Sequence, residues 1–178
     1  MTQDALYQGK WDAVDEIVQA WARERPALDT SRKHVTGRVI RLSALFQQAF
    51  GESHAAVGID NADFGILAAL RRAGPGNPIT PTELARRRMM TSGGMTAAID
   101  RLERRGLVAR LPNPADRRGS LVQLTEEGSE VIERAVDLQA DVERRLCRSL
   151  TDRQLDQLTG LLRRLLLDVD PDGPGAPS

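Results

Sequence analysis

Arginine is the residue type with the clearest chemical bias in this chain. From Arg86 to Arg118 there are nine arginines against Asp100, Glu103 and Asp116, a local balance of +6. Residues 119–178 carry seven arginines against twelve acidic residues, and residues 1–85 carry nine basic against ten acidic. Guanidinium groups grip phosphate and carboxylate through paired N–H donors. A neutral 178-residue chain with one basic segment therefore points to a polyanion met at one place. The arginines fall as Arg86-Arg87-Arg88, then Arg101, Arg104 and Arg105, then Arg110, then Arg117-Arg118. Between the first two groups lie Ser92, Gly93, Gly94, Thr96 and Ala97, short enough to let a backbone approach a base edge or a phosphate closely.

Local signals show which elements must carry these residues. Thr80-Pro81-Thr82-Glu83 reads as a capping box with proline at the first helical position, opening a helix that ends near Arg88. A second helix is predicted over about 92–105 and is stopped by Gly106. On it Met95, Ile99 and Leu102 share one face, while Thr96, Ala97, Asp100, Arg101 and Arg104 lie opposite. Leu107–Leu111 and Ser120–Leu124 read as strands joined by the polar segment Pro112–Gly119, whose tip is Asp116-Arg117-Arg118-Gly119. Helix, turn, helix and hairpin in this order describe a winged helix-turn-helix. Such a module places a helix N-terminus in a major groove and a basic loop beside it.

Around this segment the chain is helical. Trp11, Val14, Val18 and Trp21 predict a helix over about 10–24, ended by Pro26, and Val35, Val39, Leu42, Phe46 and Phe50 predict a second. Gly51 and Gly58 read as bracketing a loop, and a third helix follows over about 61–72 with Ile66, Leu67 and Leu70. Thr125 should cap a long helix carrying Val131, Ala135, Leu138, Val142 and Leu146, and Thr151 to Gln154 is another capping box. The last helix holds Leu155, Leu158, Leu161, Leu162, Leu165, Leu166 and Leu167, more apolar surface than one small domain can cover, which predicts a partner helix. The expected organisation is N-terminal helices over 1–58, the winged domain over 59–128, C-terminal dimerisation helices over 129–169 and a tail over 170–178. The fold class is mainly α with a small β-hairpin wing.

Leu84-Ala85, Ser92-Gly-Gly-Met-Thr96, Asp100-Arg-Leu-Glu103, Gly106-Leu-Val108, Asp116-Arg-Arg-Gly119 and Leu124-Thr125 with Gly128 resemble the MarR family of bacterial transcriptional regulators. The resemblance covers about residues 60–130 strongly. It implies a homodimeric repressor whose two winged domains bind a pseudo-palindromic operator in double-stranded DNA. It also implies that Arg118 reaches into the minor groove and that Asp100 and Asp116 orient wing arginines. The expected DNA contacts are Thr82, Arg86, Arg87, Ser92, Gly93, Gly94, Thr96, Ala97, Asp100, Arg101, Arg117 and Arg118. A helical protein–protein adaptor that uses a winged domain without DNA is the alternative.

The N-terminal helix with Trp11 and Trp21 resembles that of a subgroup responding to urate and related ligands. Against its ligand motif, Phe64-Gly65 stands where the subgroup has Trp-Asp, and Ala98 stands where it has a recognition-helix arginine. Without those charges a largely apolar aromatic or phenolic effector is expected in place of an anionic purine, met by Trp11, Phe46, Phe64 and Arg110. Salicylate-like acids fit the remaining Arg110.

Other chemistries find little support. The single Cys147 rules out an intrachain disulfide framework and reads as an inert helical thiol. His34 and His54 lack neighbours at metal-ligand spacing, so no metal or other cofactor is expected. No phosphate loop or nucleophile elbow is present, which argues against an enzyme. No apolar run approaches the roughly 20 residues of a membrane span. Met1–Trp11 does not read as a signal peptide, so the expected location is the cytoplasm.

Overall fold

The computed structural model describes residues 9–88, 91–116 and 119–171. The chain divides into two compact units, Met1–Ala49 and Phe50–Ser178, so the division falls inside a helix.

The first unit begins with α1, Ala13–Glu24, followed by most of α2, Lys33–Ala55. Asp12 caps α1 in a full capping box with Asp15, as the first-turn acids permit. Val14 and Val18 are buried, and Gly37 lets α2 approach Val14 closely, since a Cβ there would stand 2.9 Å from a Val14 methyl. Arg38 holds the pair together, donating to Asp12 at 2.9 Å and to Asp15 at 2.8 Å.

The second unit holds α3 (Asn61–Ala73), α4 (Pro81–Arg88), α5 (Ser92–Arg104), β1 (Val108–Pro112), β2 (Ser120–Leu124), α6 (Glu126–Leu146) and α7 (Asp152–Val169). Strands β1 and β2 pair antiparallel, with Val108 opposite Leu124 and Arg110 opposite Val122. Ile79 extends the hairpin by a bridge to Val122, tying the wing to the residues just before α4. The core gathers Ile66, Leu67 and Leu70 of α3, Leu84 of α4, Met95, Ile99 and Leu102 of α5, and Val108, Val122, Ile132 and Ala135. The predicted faces of α3 and α5 are thus the buried ones.

Cap chemistry sets the helix starts. Asp60 accepts from the Asp63 amide, Thr91 from Gly94, Thr125 from Gly128, and Thr151 shares a complete box with Gln154. Thr80 does accept from the Glu83 amide at 3.2 Å, but the Glu83 carboxylate turns forward to two arginines and leaves the expected box half made. A second expectation is corrected at Gly51. The chain stays helical to Ala55, and the corner falls at 56–60, where Gly58 takes a φ of 75°. Gly51 lies where α2 meets the Asn61 side chain, 3.6 Å from a Cβ built there, so it marks a close approach and not a break.

Of the stripe predicted in α2, Phe46 and Phe50 are half-buried and the rest is exposed, as is most of the leucine stripe of α7. In α2, Val35, Val39, Ile40, Leu42 and Leu45 are exposed, and α7 buries none of its residues. Among the described residues no helix is long and apolar enough to cross a membrane.

Candidate nucleic-acid interface

Helix α5 is two-sided at its N-terminus. Met95, Ala98, Ile99 and Leu102 are buried, while Ser92, Gly93, Gly94, Thr96 and Ala97 are exposed. Among the described residues a side chain at Gly93 would meet nothing within 4 Å. Thr91 caps the helix and Thr96 donates to the Ser92 carbonyl at 3.0 Å. The amides of the first turn and the helix dipole favour an anion at this end.

In the preceding helix one carboxylate is shared by two of three arginines, so a net positive charge remains. Glu83 accepts from Arg86 at 2.9 and 2.8 Å and from Arg87 at 2.7 Å. Hydrogen bonds from Arg86 and then Arg87 hold the Glu83 carboxyl down to about 2. These contacts therefore persist above the ordinary carboxylate range and are lost only as pH falls toward about 2. The pairs are solvent-exposed and weak enough to exchange for phosphate. Thr82 is exposed beside them.

Three further arginines of the basic segment are occupied. Arg110 of β1 donates to Asp100 at 2.6 Å and to Glu103, so one turn of α5 grips the wing strand. The hydrogen bond it gives to Asp100 raises the guanidinium pKa above its usual value. Arg101, expected at DNA, donates to Asp63 at 2.5 Å, and Arg105 donates to the other Asp63 oxygen at 2.9 Å and to the Gly58 carbonyl. Among the described residues Arg104 bonds only its own helix, donating to the Asp100 carbonyl at 3.3 Å. At the wing, Asn113 closes an Asx turn on Ala115, and the Gly119 amide bonds the Asp116 carbonyl at 2.9 Å. Arg117 and Arg118 lie outside the described residues.

The residues expected at a ligand belong to different units. Trp11 is 63 % exposed and Phe46 is half-buried, both in the first unit. In the second, Phe64 stacks on the buried His54 with ring centroids 4.1 Å apart, and Arg110 is held as above. His54 also meets the side-chain oxygens of Asn61 and Gln139 at 2.7 and 3.2 Å, which makes it a joint between α2, α3 and α6. Ala98 is 3 % exposed, and a side chain at Gly65 would run into the Arg88 guanidinium. Neither position has room for a longer side chain without a local shift.

The residue that sequence reasoning missed is Asp63, 2 % exposed and the partner of two arginines. A signal was present. Asp63 stands at i, i+4, i+7 with Leu67 and Leu70, and a carboxylate on an apolar stripe needs a buried cation.

Comparison with known proteins agrees with this geometry. A family model described as MarR family matches residues 57–119. The transcriptional regulator PecS of Dickeya dadantii is 34% identical over 152 residues, covering 85% of this chain and 92% of that protein. The multiple antibiotic resistance protein MarR of Escherichia coli K12 is 38% identical over 109 residues, 61% of this chain and 74% of that protein. The structure of a mutant E. coli MarR complexed with operator DNA superimposes with a TM-score of 0.66 at 32% identity, covering 78% of this chain and 99% of that one. A MarR family regulator of Streptomyces coelicolor in complex with DNA gives 0.71 at 27% identity, covering 82% and 95%. These relatives are transcriptional regulators and not enzymes. With the open N-terminal face of α5, the arginines of α4 and the hairpin wing in place, the chain belongs to the MarR family of DNA-binding transcriptional regulators.

Proposed function

We propose that the protein is a cytoplasmic repressor that binds a pseudo-palindromic operator as a homodimer and is released by a small aromatic or phenolic ligand. The observation that carries the docking is the α5 N-terminus, where five short exposed residues stand directly above a fully buried face. Ser92, Gly93, Gly94, Thr96 and Ala97 meet base edges, with Thr82, Arg86 and Arg87 on the phosphates and Arg117 and Arg118 at the minor groove. The mutant E. coli MarR seen on its operator supports this use of the fold.

Gel shifts against the DNA upstream of the chain's own gene test the assignment. Arg118→Ala should weaken operator binding by about 1–3 kcal/mol through loss of the wing contact. Arg87→Ala should lower affinity evenly across sequences and flatten the salt slope by about one. Unchanged affinity and slope in both variants would overturn the docking.

Trp11, Phe46, Phe64 and Arg110 are proposed as effector residues. Because Asp100 and Glu103 already occupy Arg110, an acid must compete for it, which favours a ligand bound mainly through aromatic contacts. Such a ligand acts on DNA only by preferring the DNA-incompetent dimer. Titrating salicylate and urate into the operator complex, with tryptophan fluorescence and DNA release as readouts, should show release by the former. Release by micromolar urate with aromatic acids inactive would contradict the assignment.

A further inference from the structure

The Asp63 carboxylate is almost fully buried, and its two oxygens take Arg101 of α5 and the C-cap residue Arg105. Asp60, which caps α3, adds a second carboxylate 3.6 Å from Arg101. Arg105 goes on to the Gly58 carbonyl at the corner before α3. The C-terminal half of α5 is thereby bolted to the N-terminus of α3 at three points. At its other edge, α5 holds the wing through Asp100 and Glu103. Charge-assisted bonds to a buried carboxylate are short and directional, so they fix pitch and height better than apolar contacts do.

We propose that Asp63 is the positioning residue of the DNA-reading helix, and that Arg101 acts through Asp63 without contacting DNA. The proposal rests on the docking described above. Arg101 lies on the groove-side face by helical periodicity, so its charge would ordinarily be assigned to a phosphate. The geometry assigns it inward. The clamp then sets specificity: it holds the open end of α5 at one angle to the groove, while the exposed arginines supply affinity for any duplex.

The test compares Arg101→Gln, Arg101→Lys and Asp63→Asn with wild type on two duplexes. One is an operator selected by wild type from a random-sequence pool, and the other is an unrelated sequence. Affinity is measured across a salt series. Arg101→Gln leaves Asp63 bonded to Arg105, so it should fold, as circular dichroism will show. Its operator affinity should fall on the order of tenfold, the scale of one lost base contact, with unrelated-duplex affinity and salt slope unchanged. Arg101→Lys should recover part of the loss. Asp63→Asn should lower the operator preference further while raising affinity for the unrelated duplex, because two arginines lose their counter-charge. Combining Arg101→Gln with Asp63→Asn should be non-additive. A salt slope flattened by about one in Arg101→Gln, with equal loss on both duplexes, would make Arg101 a phosphate contact and overturn the proposal. Wild type that selects no operator would overturn the docking reading itself.

Discussion

Removing residues 151–178 should leave a monomer or an aggregate, and operator binding should fall more than about 100-fold as the gain from two linked half-site contacts is lost. No residue of helix α7 is fully buried, and Leu158, Leu161, Leu162, Leu165 and Leu166 are all more than 40 % exposed. Burying one leucine contributes about 1.5–3 kcal/mol, so five on one 18-residue helix represent a large driving force for a partner. The exposed valines, isoleucine and leucines of α2 present a second such stripe. The paired change Leu161→Glu with Leu165→Glu keeps the helix and its Thr151 cap, so it separates lost association from lost folding. Sedimentation at micromolar concentration should show the wild type as a dimer and this variant as a folded monomer. A stable wild-type monomer would end the dimer reading.

Gly128→Ala should destabilise the second unit by about 3 kcal/mol and lower Tm by roughly 10 °C. Gly128 is the third residue of α6, and the Leu107 carbonyl lies directly over it. A Cβ at this position falls well inside van der Waals distance of that oxygen, which cannot withdraw because it also accepts the Thr125 amide at 3.2 Å. Thr125 in turn caps α6 through the Gly128 amide and donates to the Gly106 carbonyl at 2.6 Å. Gly93→Ala is the control. With none of the described residues within 4 Å of a Cβ there, alanine should add up to about 1 kcal/mol through helix propensity. Thermal melts that rank the two substitutions the other way would show that α6 and Leu107 do not approach as described.

What was legible in the residues follows the range of the interaction. The caps at Thr125 and Thr151 lie next to the amides they bond, and the faces of α5 repeat every three or four residues, so both could be read directly. The hairpin strands were legible to within one residue because turn chemistry brackets them. The Arg101–Asp63 pair was not legible since the two residues lie 38 apart, and periodicity places a side chain on a face without saying where a long side chain turns. Gly51 was misread for the same reason: in a helix, glycine marks either an end or a close neighbour, and only the fold shows Asn61 beside it. The bridge from Ile79 to Val122 has no local signal at all. Arg117 and Arg118, central to the proposed docking, were read from the Asp116–Gly119 tip and lie outside the described residues.

Hydroxyl-radical footprinting of the full chain on its selected operator tests the central claim most directly, that a homodimer presents two α5 N-termini to successive major grooves. Two protected half-sites should appear on one face of the duplex, related by a dyad and roughly 34–36 Å apart, with flanking minor-groove protection that Arg118→Ala removes. A single protected site without a dyad, or half-sites at a spacing unrelated to the helical turn, would contradict it.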